Sequence, residues 1–229
     1  MFKKYFKKLL GGGDSEVPAN EQFYSPLRIG LHSTLTLDTI DWVAVTDMLH
    51  KDMKMPSGRM SVLAIGTTKV DSHEIFDIYL QDENSDEFIL QIVSAPDSKG
   101  NGQEFVEGTF YHQVSGVTPL TEAQWSKEMK YVGDTIYHFA DYKYSRVWSG
   151  DYDDTIELVT FNEHIIRQNE TIDYVNNYML YNREFDVPWA QGGKKPVELL
   201  LVGVEETEED AELVHLVGLN IAQSSIHVQ

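Results

Sequence analysis

The chain has 229 residues and a formal net charge of −19, with 37 acidic and 18 basic side chains and no cysteine. The length suffices for one large domain or two small ones with a real core. The charge argues against non-specific nucleic-acid binding by the body, which needs lysine and arginine to displace phosphate counterions. The absence of cysteine rules out disulfides, thiolate catalysis and every cysteine-ligated metal site.

Residues 1–10, MFKKYFKKLL, carry +4, so the other 219 residues carry −23. Phe2, Phe6 and Leu9 or Leu10 recur at helical spacing, flanked by Lys3, Lys4, Lys7 and Lys8, which predicts a short amphipathic helix when a surface supports it. Leu9 and Leu10 run straight into Gly11–Gly13, so the apolar region of a signal peptide is missing. No run reaches the roughly 18 to 20 apolar residues of a bilayer span. Residues 11–26 read as a flexible linker with a root-mean-square span of about 20 Å. Three readings of the tip stand side by side: a solubilising start, a weak anchor on anionic lipid, and a helix that docks in a partner's groove.

The body, residues 27–229, reads as α+β, a predominantly antiparallel β-sheet with a few short helices. A seam near 96–120 would divide it into two lobes. Leu31, Leu35 and Leu37 alternate on one strand face, and Thr39–Leu49 fits either a short helix or a strand. After the Met55–Gly58 turn signal, SVLAIGTTKV, HEIFDIYL and DEFILQIVS predict an antiparallel meander, and EFVEGTFYHQV resumes strand character after the 96–102 loop. Thr121 and Gln124 form a capping box for a helix that puts Trp125 and Met129 on one face. Two further strand candidates follow, DTIYHFADYKYSRVW and DTIELVTFNEHIIR. In TIDYVNNYMLYNREF, Ile172, Val175, Met179 and Leu180 repeat at helical spacing. KPVELLLVGVEE is a strand; Glu205–Glu212, with six acids in eight residues, reads as a solvated loop or helix start. Ile226 and Val228 alternate at the close.

Chemistry-bearing motifs are scarce. The eight histidines, His32, His50, His73, His112, His138, His164, His215 and His227, stand outside any metal-ligating or catalytic pattern and read as satisfied structural or surface residues. Glu163 and His164 are adjacent and so point to opposite faces of a strand. Asp151, Asp153 and Asp154 lack the central glycine of a calcium loop and read as a solvated turn. No catalytic residue, cofactor or metal is expected. Between Tyr131 and Tyr152 lies an aromatic cluster. Half-buried sheet packing and a protein-binding surface both fit it, and Tyr142, Tyr144 and Trp148 are the candidate interaction residues.

Ile29-Gly30-Leu31-His32-Ser33, Leu35-Thr36-Leu37-Asp38, Asp86–Ile92 and Ser225–Val228, in that order, resemble the uncharacterised bacterial protein family represented by enterobacterial YjfK. The resemblance implies a bacterial, cytoplasmic protein with a membrane-proximal role and transfers no functional residue. The expectation is a non-enzymatic interaction or scaffold protein at the cytoplasmic face of a bacterial membrane. It would contact a protein partner or anionic lipid weakly through Phe2, Lys3, Lys4, Phe6, Lys7, Lys8, Leu9 and Leu10. The alternatives are a soluble acidic subunit that binds a basic partner or small cation, and a hydrolase assembled only in three dimensions.

Overall fold

Strand-forming residues dominate wherever alternation or β-branched runs occur, and the chain resolves them into one connected sheet. The computed structural model describes residues 25–98, 102–148, 154–168, 170–187, 195–206 and 211–229. The tip, nearly all of the linker, and Asp151 and Asp153 lie outside the described residues.

Twelve strands run in chain order: β1 (Thr34–Leu37), β2 (Met60–Val70), β3 (His73–Gln81), β4 (Glu87–Pro96), β5 (Gln103–Val117), β6 (Ile136–Phe139), β7 (Tyr142–Arg146), β8 (Val159–Ile166), β9 (Thr171–Glu184), β10 (Val197–Glu206), β11 (Ala211–Asn220) and β12 (Ile226–Val228). Among the described residues there are two α-helices, α1 (Ile40–Val43) and α2 (Glu122–Glu128). The α+β assignment is therefore corrected: strands make up 56% and helix 9%, and the architecture is mostly β. The sheet runs β12-β1-β2-β3-β4-β5-β11-β10-β9-β7-β6, and β8 bonds to both β2 and β9. Those two pairings close β2, β3, β4, β5, β11, β10, β9 and β8 into an eight-stranded antiparallel barrel. Its strands come from both sides of residues 96–120.

The meander expected from residues 61–94 is β2–β3–β4, with register pairs such as Ile78↔Leu90. Thr121 caps α2 by accepting a bond from the Gln124 amide at 3.3 Å. The Gln124 side chain accepts in turn from the Leu120 amide at 2.7 Å. Thr39–Leu49 becomes the single turn α1 followed by a 3-10 turn at Thr46–Met48. The helical spacing in TIDYVNNYMLYNREF misleads, because that segment is β9, paired along its length with β8 and β10. Met179 and Tyr181 face outward there, and Tyr178 and Leu180 face the barrel.

Three apolar clusters explain the mixed patterns. All eight barrel strands contribute to the interior, including Ala64, Tyr79, Ile89, Tyr111, Ile165, Leu180, Leu201 and Leu216. Outside β2–β5, the segment from Ile29 to Leu49, together with Phe185, Val187 and Ile226, covers Ile78, Leu80, Leu90 and Phe110. Outside β9–β11, the β6–β7 hairpin and α2 bring Tyr137, Tyr144, Trp125 and Met129 over Met179, Leu200 and Val217. β10 and β11 are thus buried on both faces, which is why they read as continuous apolar runs.

The interior fits only because glycine lies opposite its largest side chains. A Cβ at Gly203 would stand 1.9 Å from Tyr178 Cδ1, and one at Gly66 would stand 1.7 Å from Glu163 Oε1. The cross-strand Gly203↔Tyr178 pair lets the ring lie over bare backbone. Gly203→Ala is expected to destabilise the fold by about 2 to 3 kcal/mol through overpacking, whereas Gly102→Ala, on an exposed loop, should cost under about 0.5 kcal/mol. Urea denaturation followed by tryptophan fluorescence measures both.

Candidate functional site

Alternation places Asp77 of β3, Glu163 of β8 and Glu205 of β10 on the inward face of the barrel. Among the described residues, the hydrogen-bond donors to these acids are neutral. Glu163 accepts from the Tyr79 hydroxyl at 2.8 Å and from the Asn176 amide at 2.7 Å, and it is 3% exposed. Glu205 accepts from the Tyr178 hydroxyl at 3.0 Å and is 6% exposed. Asp77 accepts from the Gln91 side chain at 2.9 Å.

Burial strips a carboxylate of its water and raises its pKa. Desolvation pushes Asp77 up to about 6 and Glu205 up to about 7. Glu163 rises well above the ordinary carboxylate range, first from burial and then from the charge of Asp77. The Tyr178 phenol is pushed up by burial and by the charges of Glu205, Glu163 and Asp77. The interior therefore changes its charge across neutral pH.

Beside this cluster lies a cavity of about 60 Å³. Its walls are the rings of Tyr111, Trp148, Phe161 and Tyr178, and its polar groups are Asp77, Gln91, Asn176 and Thr68. Trp148 packs on Phe161 at 5.7 Å between centroids, and Phe161 on Tyr178 at 6.2 Å. Such a space holds about two waters or one small head group. Aromatic faces carry negative quadrupole charge, so rings around a carboxylate suit a cation. Glu205, with a pKa near 7, is also suited to exchanging a proton, though the cavity admits little beyond a head group. Among the described residues no group of three or more His, Asp or Glu is placed to hold a metal ion.

Residues 1–227 match the model of a family described as Protein of unknown function (DUF2491). The chain belongs to that family. Membership of an uncharacterised family, expected from the short motifs, stands at that level. No curated protein and no solved structure matches this DUF2491 member. Among its described residues no helix is long and apolar enough to cross a membrane.

The sequence-predicted interaction residues do not form one surface. Tyr144 is fully buried, and its hydroxyl donates to Glu198 Oε1 at 2.6 Å, so it is corrected from surface residue to core residue. Tyr142 is half-buried, with the Arg183 guanidinium 4.2 Å from its ring centroid. Trp148 is half-buried in the cavity wall. The membrane or partner contacts Phe2, Lys3, Lys4, Phe6, Lys7, Lys8, Leu9 and Leu10 lie outside the described residues.

The histidine reading needs two corrections. His50 and His215 are buried structural residues, but each is only partly satisfied. Their rings pack against Phe139 at 5.0 and 4.2 Å. His50 Nε2 and His215 Nδ1 are buried without a hydrogen-bond partner. Desolvation lowers His50, and it lowers His215 to about 4. Glu163 and His164 do point to opposite faces, and His164 meets Asp173 outside at 2.7 Å. Glu205 and Glu212, assigned to a solvated segment, are buried strand residues directly opposite each other. The four residues between Glu206 and Ala211 lie outside the described residues.

Two opposed pH effects follow. An acid whose folded pKa lies above its unfolded value binds a proton on folding, so stability falls as pH rises through that gap, from about 4.5 to about 7 for Glu205. A histidine with a lowered folded pKa does the reverse, so stability falls as pH drops from 6.5 towards about 4 for His215. The urea midpoint should therefore peak near pH 6. Glu205→Gln should remove on the order of 3 kcal/mol of the decline between pH 5 and 8. His215→Asn should flatten the acidic side; parallel profiles for variant and parent would contradict the assignment.

Proposed function

We propose that this protein is a non-enzymatic binding module and that the barrel cavity is its recognition site, taking the ammonium end of a small organic amine. One observation carries the reading: four aromatic rings and a carboxylate, Asp77, line the same cavity, with Glu163 and Glu205 behind it. Among the described residues, hydrogen bonds to these three acids come from tyrosine, asparagine and glutamine, none of which compensates a negative charge. An entering ammonium supplies that charge and stabilises the ionised form of the cluster. The rings add cation–π attraction of about 0.5 to 2 kcal/mol. The volume of about 60 Å³ sets the size limit, so the group that enters is a head group and any tail stays at the mouth. This reading sharpens the alternative in which an acidic body binds a small cation, and it assigns the excess charge inside the barrel a task beyond solubility.

Calorimetric titration of the full chain with methylammonium, trimethylammonium and the neutral isostere tert-butanol tests it. Ammonium ligands should bind at least about tenfold more tightly than the alcohol, which corresponds to 1.4 kcal/mol. Asp77→Asn and Trp148→Ala should each weaken them about tenfold. Affinity should fall as pH drops from 8 to 5, because protonation of Asp77 and Glu205 removes the attracting charge. Equal binding of the alcohol, or no response to Asp77→Asn, would refute the cation reading.

A further inference from the structure

β4 and β5 do not end together. On its β11 side β5 stays paired as far as Val117, opposite Leu213, whereas on its β4 side the pairing stops at His112, opposite Phe88. Residues 113–117 therefore present a strand edge about 17 Å long. Among the described residues no main-chain hydrogen bond fills that edge. The Gln113 side chain reaches the Ser115 carbonyl at 3.4 Å, and Gln113 Oε1 is buried without a hydrogen-bond partner. Where β4 would continue lies a cleft of about 780 Å³, bounded by Lys51–Lys54, Ser85–Glu87 and the end of β5. Its two sides differ in charge. A bulge at Val114 shifts the β5–β11 register, so Val114 and Ser115 both face outward, while Gln113 and Gly116 face inward. The outer side carries Met53 and Val114, with Lys51 and Lys54 balanced by Asp52 and Asp86. Lys54 is ion-paired with Asp86. Phe88 packs outward, so its neighbour Glu87 faces inward, towards Gln113 and Glu212. Glu212 lies across bare Gly116, where a Cβ would stand 2.0 Å from its Oε1.

We infer that this cleft binds one extended segment of a partner protein, which adds to residues 113–117 as a strand and places basic side chains inward and apolar ones outward. The main chain of β5 supplies affinity, because every N–H and C=O along a strand edge needs a partner and an added strand provides them in register. Alternation supplies specificity. Successive side chains of the added strand point to opposite faces. One set meets Glu87, Glu212 and the Gln113 side-chain oxygen, and the other meets Met53 and Val114. Among the described residues the inner lining holds two acids and no base, so a lysine or arginine of the partner is the complement it calls for. A second copy of this chain is a poor occupant, because residues 11–229 carry −23 and two such bodies repel. The site is also separate from the cation reading: no described residue of the cleft lines the barrel cavity.

Fluorescence anisotropy of labelled, end-capped pentapeptides titrated with the full chain tests this. The peptide Lys-Val-Lys-Val-Lys should bind, and Glu-Val-Glu-Val-Glu should bind at least about tenfold more weakly. N-methylation separates strand addition from charge attraction. Methyl groups on one alternate set of peptide amides should lower affinity at least about tenfold, and on the other set less than about twofold, because only one set faces β5. Glu87→Gln, at a half-buried position, should weaken the lysine peptide about fivefold. Bound peptide should slow hydrogen exchange at residues 113–117 and leave β6 and β12, the strands at the two ends of the sheet, unchanged. Equal binding of the glutamate peptide, equal effects of the two methylated sets, or protection at β6 or β12 in place of β5 would overturn the inference. So would no binding of the lysine peptide at about millimolar concentration.

Discussion

Three residue pairs between β2 and β8, Ile65↔Ile166, Gly66↔Ile165 and Thr67↔His164, turn a long sheet into a barrel. Every inward property depends on that seam. In an open sheet Asp77, Glu163 and Glu205 would face water and titrate as ordinary carboxyls; closure removes the water and raises all three. The seam and the acid cluster also share a residue. Glu163 folds across Gly66, where any Cβ would collide with its carboxyl, so bringing the strands together and burying the acid are one steric event.

Two buried glutamates on the barrel wall show how differently the fold treats one side chain. Glu198, on the outer face of β10, is fully buried and accepts from the His50 amide, the Tyr144 hydroxyl and the Arg183 guanidinium. That pair is a structural joint: it ties the segment before β2 and the β6–β7 hairpin to the wall, and Arg183 is held among the rings of Tyr142, Tyr144 and Phe185. Removing one partner of such a joint leaves a buried charge alone, which costs more than the pair contributes. Glu163, on the inner face, has hydrogen bonds from neutral groups only among the described residues. Among the described residues the fold thus gives the outer acid an arginine and the inner ones neutral donors, and burial raises the pKa values of the inner acids.

The β2–β3–β4 meander and the start of α2 were legible because local signals agreed with them. The turn-bounded alternation of β2–β4 and the Thr121–Gln124 capping box depend on near neighbours alone. Errors arose where the environment came from distant chain. β9 passes from alternately exposed residues at Thr171–Val175 to residues covered on both faces from Asn176 to Tyr181, so its apolar residues do not follow period two, and a chance helical spacing of Ile172, Val175 and Met179 looked meaningful. Charge counting placed Glu205 and Glu212 in solvent, since a run of acids carries no sign that its two ends point into a barrel. Asp77 sits within HEIFDIYL as a polar break of the kind usually read as solvent-facing. Only the apolar outward residues Phe76 and Ile78, covered by the segment from Ile29 to Leu49, reverse that inference. Nothing near His50 or His215 in sequence announces Phe139, which stacks between them.

The pairing of β1 with β12 has a consequence in time. Leu35 meets Val228 and Leu37 meets Ile226, so β1 is completed on that side by a strand from far along the chain. The barrel seam itself joins residues about a hundred positions apart. Contacts of such sequence separation slow folding, because loop-closure entropy is lost before the contact is gained. On a ribosome, β2–β5 can form their meander as they emerge, while β1 must wait beside it with a free edge until residues 226–228 are made. During that interval the nascent chain exposes an unpaired strand, open to pairing with a neighbour until residues 226–228 emerge and cover it.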